Sequence, residues 1–395
     1  MDKMTVADVD IRSKRVLVRV DFNVPQDSLG NITDDTRIRA SLPTINYLVQ
    51  HQAKVIICSH LGRPKGREPG LSLAPIAHRL SQLISRPVLM ASDCVGPEVQ
   101  EMAKNLKEGE ILFLENLRFH PEEEKNDSAF ARSLASLAEV YVNDAFGTTH
   151  RAHASTVGIP HYLQAVAGFL LQKEIDTMGR ALSNPKRPLA AIIGGAKVSD
   201  KVAVLNNIVE KVDSLLIGGG MASSFFRAQG YQVGKSKVEE DKLEVCRNIL
   251  KRAEQRGIRL LLPEDILVGS SLDNGKGARV VTVSEVPPDM MIVDIGPKTL
   301  ERFAQELNKA KTVIWNGPLG VFEVEEFSHG TKGLVKVLAG LKATTIIGGG
   351  STAEVVEEMG MVDSMSHVST GGGASLEFME GKTLPGVAAL LDKEE

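Results

Sequence analysis

The chain has 395 residues, 43% of them hydrophobic and 24% charged, with a formal net charge of −4. That length is enough for about two domains, each with its own core, and the composition is that of an ordinary globular protein. The weakly acidic balance excludes bulk attraction to nucleic acid or an anionic membrane, so an anionic ligand must be held by locally clustered basic groups. Three cysteines, Cys58, Cys94 and Cys246, are odd in number and fit no metal spacing. They point to a reducing compartment, with the cytoplasm as default. The first residues include Asp2, Lys3, Asp8 and Asp10 instead of an apolar signal core, and no apolar run is long enough to span a bilayer.

In chain order, residues 15–20 read as a strand that Pro25 ends, leaving Asp21, Phe22 and Asn23 at its carboxyl end. Thr36-Arg37-Ile38-Arg39 then opens a helix with Ile38, Leu42, Ile45 and Leu48 on one face. A second strand, Lys54–Cys58, runs into Ser59-His60-Leu61-Gly62-Arg63-Pro64, and after a charged loop at 66–70 a helix resumes around Leu73. The pattern repeats. A strand over 110–114 ends in Glu115-Asn116-Leu117-Arg118-Phe119, and one over 139–142 ends in Asn143-Asp144, followed by a loop with His150, Arg151 and His153. The acidic run at 122–124 reads as the start of a solvated helix, with no function.

Strands alternating with helices predict an α/β architecture, a mostly parallel sheet whose ligands bind outside the carboxyl ends of its strands. That rule collects Asp21, Asn23, Arg37, His60, Arg63, Arg118 and Arg151 at one sheet edge. A lone arginine is most often a solvated surface group. Several basic groups at successive strand ends suit a small, multiply charged anion.

Residues 168–182 carry an apolar helical stripe that ends at Asn184-Pro185, and Lys186-Arg187-Pro188 reads as a boundary. A helix there would let two α/β units move as rigid bodies. Beyond it, strand ends become glycine-rich. The strand Leu189–Ile193 leads into Gly194-Gly195-Ala196-Lys197, and apolar spacing from Lys197 onward predicts a helix presenting Lys197 and Lys201 on one face, about 6 Å apart. Gly218-Gly219-Gly220, Asn316-Gly317-Pro318, Gly348-Gly349-Gly350 and Gly371-Gly372-Gly373 follow. These match neither a Walker A loop nor a G-x-G-x-x-G fingerprint. They suit either plain tight turns beside surface lysines or a nucleotide site in which bare backbone meets phosphate, and their recurrence favours the second. One half offers charged side chains and the other backbone and lysines, so phosphate passing between two clefts is the natural expectation.

With these residues assembled, the chain resembles the phosphoglycerate kinases along essentially its whole length. The motifs that carry the resemblance are Arg19-Val20-Asp21-Phe22-Asn23-Val24-Pro25, Ser59-His60-Leu61-Gly62-Arg63-Pro64, Glu115-Asn116-Leu117-Arg118-Phe119 and His150-Arg151-Ala152-His153 in the first half. In the second they are residues 194–201, 315–323 and 369–377. The resemblance implies two doubly wound, Rossmann-like lobes with a cleft between them. They are a substrate domain over 1–167 completed by the tail from about 380 to 395, an interdomain helix over 168–185, and a nucleotide domain over 186–379. It implies reversible phosphoryl transfer between ATP and 3-phosphoglycerate, giving ADP and 1,3-bisphosphoglycerate, in a monomer that closes about a hinge. Mg2+ would be carried with the nucleotide.

By the same resemblance His60, Arg63, Arg118 and Arg151 clamp the phosphate that is not transferred. Asp21 and Asn23 hold the glycerate, with Phe22, Leu61 and Gly62 in the same binding loops. Arg37 lies against the attacking carboxyl and the moving phosphoryl, Lys197 follows that group from the nucleotide side, and Gly372 supplies an amide at the transfer point. Lys201 holds the inner phosphates. Gly195, Ala196, Gly218, Gly219, Gly220, Asn316, Pro318, Glu323, Gly349, Gly350 and Thr352 line the nucleotide pocket, Glu323 accepting from the ribose.

Two departures fall on the nucleotide side. Ser351 stands where the family usually carries the Asp that meets magnesium, a neutral ligand in place of a carboxylate. Met290 and Ile292 stand where Trp and Gly are usual, so Ile292 reshapes the base pocket. The rival readings are a catalytically silent nucleotide-binding relative acting as a binding module, and a two-lobed binding protein for a small anion.

Overall fold

The computed structural model describes residues 2–393. The chain divides into two compact units, the first running to Asp176 and resuming at Thr383, the second spanning Thr177–Lys382.

The first unit is built on six strands: β1 (Arg15–Arg19), β2 (Lys54–Cys58), β3 (Leu89–Met90), β4 (Ile111–Phe113), β5 (Val140–Asn143) and β6 (Gln164–Ala167). They pair in the order β3-β4-β2-β1-β5-β6, every pair parallel. Parallel strands joined by helices are covered on both faces, which is why β1, β2, β4 and β5 read as unbroken apolar runs. Val16, Val18, Ile57, Phe113 and Val142 fill one face with Ile38, Ile45 and Leu48 of the helix Thr36–Gln50. The chain adds strands on one side of β1 and then, with β5, on the other. The crevice outside the carboxyl end of β1 is therefore the switch point where such sheets bind ligands. The tail returns to this unit: Met4 N–H donates to the Leu391 carbonyl at 2.8 Å and Gly386 N–H to that of Thr149 at 2.8 Å.

The second unit carries β7 (Leu189–Ile193), β8 (Ser214–Ile217), β9 (Arg259–Leu261), β10 (Asp265–Gly269), β11 (Arg279–Thr282), β12 (Met291–Ile295), β13 (Thr312–Asn316), β14 (Thr344–Gly348) and β15 (His367–Val368). Six of them form a parallel sheet in the order β15-β14-β13-β7-β8-β9. Its core gathers around the fully buried Trp315. The other three make a separate antiparallel sheet, β11-β10-β12, which the alternating pattern did not announce. No α-helix separates these three strands, so antiparallel pairing is the arrangement their connections allow. Both parallel sheets thus have the expected α/β form.

The helix Phe169–Ser183 begins against Asp144, a fully buried carboxylate that accepts from the N–H groups of Leu170 at 3.0 Å and Leu171 at 3.3 Å. Two of the helix's orphan donors are thereby satisfied. Gly168 is obligatory beside it, because a Cβ there would lie 2.1 Å from the Asp144 Oδ1. Burial pushes the Asp144 carboxyl up to about 6, so the folded chain holds this proton at pH values where the unfolded chain has released it. The stability contributed by the protonated group is present below pH 4 and is lost as pH rises through about 6. Asp144→Asn keeps a carbonyl acceptor and never has a charge to bury. Urea unfolding is expected to show the variant gaining on the wild type by about 2–3 kcal/mol between pH 4 and 7. Parallel stability profiles would remove the assignment.

Candidate active site

At the switch point of the first sheet the basic residues converge. Arg37, on the first turn of its helix, is tied through Nη1 to the Asp21 carboxylate at 2.8 Å, which leaves its remaining N–H groups available. Asn23 Oδ1 accepts from Gly62 N–H at 2.9 Å, and Gly62 returns its carbonyl to Arg118 Nη1 at 2.8 Å. Arg151 donates from Nε to the neighbouring His150 ring at 3.2 Å.

The electrostatics show how close these groups lie. The His60 imidazole is driven well below its ordinary range by burial, then by Arg19, Arg118, Arg37 and His153. Arg118 is pulled down by burial, with Arg19 and Arg151 adding repulsion against the partial relief of Glu124. His153 falls to about 4 through burial, followed by Arg19, Arg118, Arg151 and His150. A patch whose cations disfavour one another at this range is shaped for an anion. Arg63 sits on the same loop as His60, exposed, and makes no ion pair among the described residues.

Three of the sequence candidates turn inward. The Phe22 ring is fully buried, 6.1 Å from that of Phe113, and Phe22 N–H donates to Ser59 Oγ at 3.0 Å. Leu61 is buried, with both its backbone groups bonded to the Asn116 amide at 3.2 and 2.8 Å. Gly62 also engages its N–H and carbonyl in loop contacts, so Phe22, Leu61 and Gly62 shape the edge of the site.

The second unit holds a cavity of about 760 Å³. Its wall includes Gly195, Ala196, Lys197, Lys201, Gly219, Gly220, Ile292, Asn316, Pro318, Glu323, Gly349, Gly350, Ser351, Thr352 and Gly372. Gly218 is not on that wall. A Cβ there would lie 2.6 Å from Leu319 Cδ2, so its bare Cα serves packing behind the cavity. Lys201 Nζ donates to Asn316 Oδ1, and the ammonium is pushed below its usual range by burial. Lys197 is exposed and has no ion-pair partner among the described residues.

The helix expected from Lys197 starts later, at Val202, and Lys201 is its cap residue. Residues 197–201 form a loop and turn, with Ser199 N–H donating to Glu239 at 3.0 Å and Lys201 N–H to the Val198 carbonyl at 2.8 Å. The two lysines therefore reach the cavity from a loop and its end, not from one helix face.

A family model for phosphoglycerate kinase matches residues 6–382. The chain belongs to the phosphoglycerate kinase family. A phosphoglycerate kinase of Moorella thermoacetica is 57% identical over 394 residues, covering 100% of both chains. One of Pelotomaculum thermopropionicum is 52% identical with the same coverage. Among solved structures, phosphoglycerate kinase from Coxiella burnetii superposes with a TM-score of 0.89 at 40% identity, covering 98% of each chain. Membership makes this chain an enzyme, a phosphotransferase.

Some residues of this cavity escaped the sequence reading. Asp200, Lys235, Ser236 and Lys237 also line the cavity, and Ser236 Oγ accepts from Ile292 N–H at 2.9 Å. The Lys-Ser-Lys run after Gly234 was the available signal. In the first unit Glu123 is fully buried and accepts from Ser155 N–H at 3.0 Å and Ser155 Oγ at 2.5 Å, so one member of the acidic run turns inward while Glu122 and Glu124 are exposed. One further trio, Asp93, Cys94 and His120, brings possible metal ligands within 4.8 Å. Asp93 already accepts from Cys94 N–H and pairs with His120 at 2.7 Å and Arg67 at 3.6 Å, which meets its charge.

The glycine loops interlock by backbone. Gly219 has φ +71, and a Cβ on it would meet the Gly195 carbonyl at 2.6 Å and the Pro318 carbonyl at 2.8 Å. Gly219→Ala is expected to cost about 1–3 kcal/mol of stability and to weaken nucleotide binding at least about tenfold. Calorimetric titration with ADP beside a thermal melt checks both, and unchanged values would show that the loops tolerate a side chain there.

Proposed function

We propose that this chain catalyses the reversible transfer of a phosphoryl group between ATP and the carboxylate of 3-phosphoglycerate, giving ADP and 1,3-bisphosphoglycerate. The observation that carries this reading is the gathering of Arg37, His60, Arg118 and Arg151 at one sheet's switch point, with Arg37 bonded to Asp21 and Arg118 to the Gly62 carbonyl. A lysine-and-glycine cavity in the other unit complements it. A cytoplasmic monomer suits the three free, buried cysteines and two sites that each draw on one chain. Among the described residues no helix is long and apolar enough to cross a membrane.

The acceptor is a carboxylate, already a competent nucleophile, so no general base is required. His60, Arg63, Arg118 and Arg151 hold the phosphate that stays, and Asp21 and Asn23 orient the glycerate. Arg37, steadied by Asp21, directs its free N–H groups at the carboxylate and the equatorial oxygens of the moving group. Lys197 meets those oxygens from the nucleotide side, with the Gly372 amide. Such preorganised donors stabilise transition-state charge, and in-line alignment with water excluded supplies the rest. Closure over the bound ligands belongs to this reading.

The nucleotide side fits a metal that arrives on phosphate. Thr352 Oγ1 is buried and already accepts from Gly317 N–H at 2.8 Å, which leaves the exposed Ser351 hydroxyl and the Asp200 carboxylate on the wall to hold the ion. These are oxygen donors of the kind Mg2+ takes. When bound, the ion screens the phosphate charges and polarises the bond to be broken.

In a coupled assay on purified protein, Arg37→Ala and Lys197→Ala are each expected to lower kcat at least about a hundredfold, by analogy with loss of one oxyanion donor. Near-normal turnover would remove that residue from its role, and an inactive wild type that binds nucleotide would favour the silent-relative reading. Ser351→Asp is expected to lower the magnesium concentration needed for half-maximal rate about tenfold, since it adds a charged ligand. Superimposable titrations would reject a role for position 351 in holding the ion.

A further inference from the structure

Behind the anion patch lies an arginine that the proposed mechanism does not use. Arg19 ends β1 with none of its surface exposed. Its Nε donates to Ser155 Oγ at 2.8 Å, its Nη1 to the Val20 carbonyl, and its Nη2 lies 3.1 Å from His60 Nδ1. A guanidinium has five donors and no acceptor, and it does not deprotonate in proteins. The His60 nitrogen facing it must therefore accept, which leaves that nitrogen without a proton. In the neutral ring the single proton then sits on Nε2.

We infer that Arg19 is a positioning residue which locks His60 as the neutral Nε2–H tautomer, so that His60 offers the substrate phosphate a fixed hydrogen-bond donor and no titrating charge. The inference rests on the placement of His60 at the phosphate given above. A proton on Nδ1 would have to face the guanidinium at hydrogen-bond distance, in a ring only 5% exposed. Arg118 beyond β4 and Arg37 on its helix also oppose a second proton on the ring, while His153 beyond β5 is itself uncharged near neutrality. Ser59 fixes the residue from the other end, its hydroxyl donating to the His60 carbonyl at 3.2 Å.

The arrangement also explains how a bare guanidinium is tolerated there. Ser155 Oγ accepts from Arg19 and donates to Glu123, so a single hydroxyl links two fully buried opposite charges. Glu123 lies 4.0 Å from His153 Nδ1 as well. The contacts of Glu123 go to Ser155 and His153, and it makes no hydrogen bond or ion pair to His60 among the described residues.

The test is a long-range proton–nitrogen correlation spectrum of the 15N-labelled full chain, with the His60 signals assigned by their loss in His60→Gln. In the wild type, Nε2 is expected to be protonated and Nδ1 to be a bare acceptor, unchanged from pH 5.5 to 8.5 with and without 3-phosphoglycerate. Protonation on Nδ1, or an imidazolium inside that range, would overturn the inference, and this reading needs no variant that could misfold. Arg19→Met should release the ring to mixed tautomers and move its titration up from that of the wild type, with burial and the remaining arginines still opposing a second proton. Its KM for 3-phosphoglycerate is expected to rise about tenfold at pH 8 with a smaller change in kcat, and to recover as pH falls. Arg19→Lys keeps a donor-only cation and should keep the wild-type tautomer. His60→Gln carries an amide N–H near the Nε2 position and should retain more affinity than His60→Ala. If His60→Ala leaves KM unchanged, the contact with phosphate fails. If it raises KM while the wild-type spectrum shows Nδ1–H, the contact stands and the lock falls.

Discussion

Burying a guanidinium at the end of a strand covered on both faces is costly, and the first unit spends its polar groups on keeping Arg19 there. Desolvating such a charge costs several kcal/mol, and removing its opposite number typically costs about 3–5 kcal/mol more. Ser155, the Val20 carbonyl and His60 occupy the donors, while Glu123 supplies the balancing charge from a site with no solvent exposure. Around that neutralised pair, Arg37, Arg118 and Arg151 are left partly unbalanced. Arg118 is opposed by Arg19 and Arg151, and an anion at the patch would relieve that repulsion. Binding the ligand and stabilising the fold are there the same event.

The second unit solves its problem with backbone. Gly194 N–H donates to the Asn316 carbonyl at 2.9 Å, Gly195 N–H to that of Pro318 at 3.0 Å, and Met221 N–H to that of Gly195 at 3.0 Å. Three strand-end loops are thus hydrogen-bonded into one floor, at spacings no Cβ would permit. The glycines divide into two kinds. Those at 194, 219 and 317 are needed for loops to touch loops, whereas a Cβ on Gly350 or Gly372 would meet nothing. The close loop contacts fall at 194, 218–220 and 317, and the open positions fall in other loops, at Gly350 and Gly372.

What could be read from the chain follows from this division. Apolar runs such as Lys54–Cys58 and Leu189–Ile193 are strands at their expected bounds, because burial on both faces leaves no polar residue to blur them. The strand-end rule then gathered Arg37, His60, Arg118 and Arg151 without any knowledge of contacts. Residues whose behaviour is set by distant partners were misread or missed. Glu123 looked solvated because its partner Ser155 is 32 positions away. The loop at 197–201 looked helical because its apolar spacing continues a real helix, while its contact with Glu239 lies 40 positions on. The antiparallel sheet at 265–295 has no periodicity to distinguish it from further parallel strands. Arg19 was quoted only as the first letter of a motif, since nothing local says that an arginine ending a strand faces inward.

If His60 is held neutral, the titratable character of the anion site changes. Its charged members are then arginines, which stay protonated throughout the range in which the protein is folded. His153, at about 4, adds no charge near neutrality. The ligand's own phosphate does titrate near pH 6, where its second ionisation falls. Affinity for the acceptor should then follow the ligand's charge and not the protein's, rising as the phosphate becomes a dianion. A histidine that carried charge would act in the opposite sense, strengthening the grip in acid as the phosphate weakened it. Fixing a donor while forgoing its charge lets one ionisation, belonging to the ligand, set the pH response of binding.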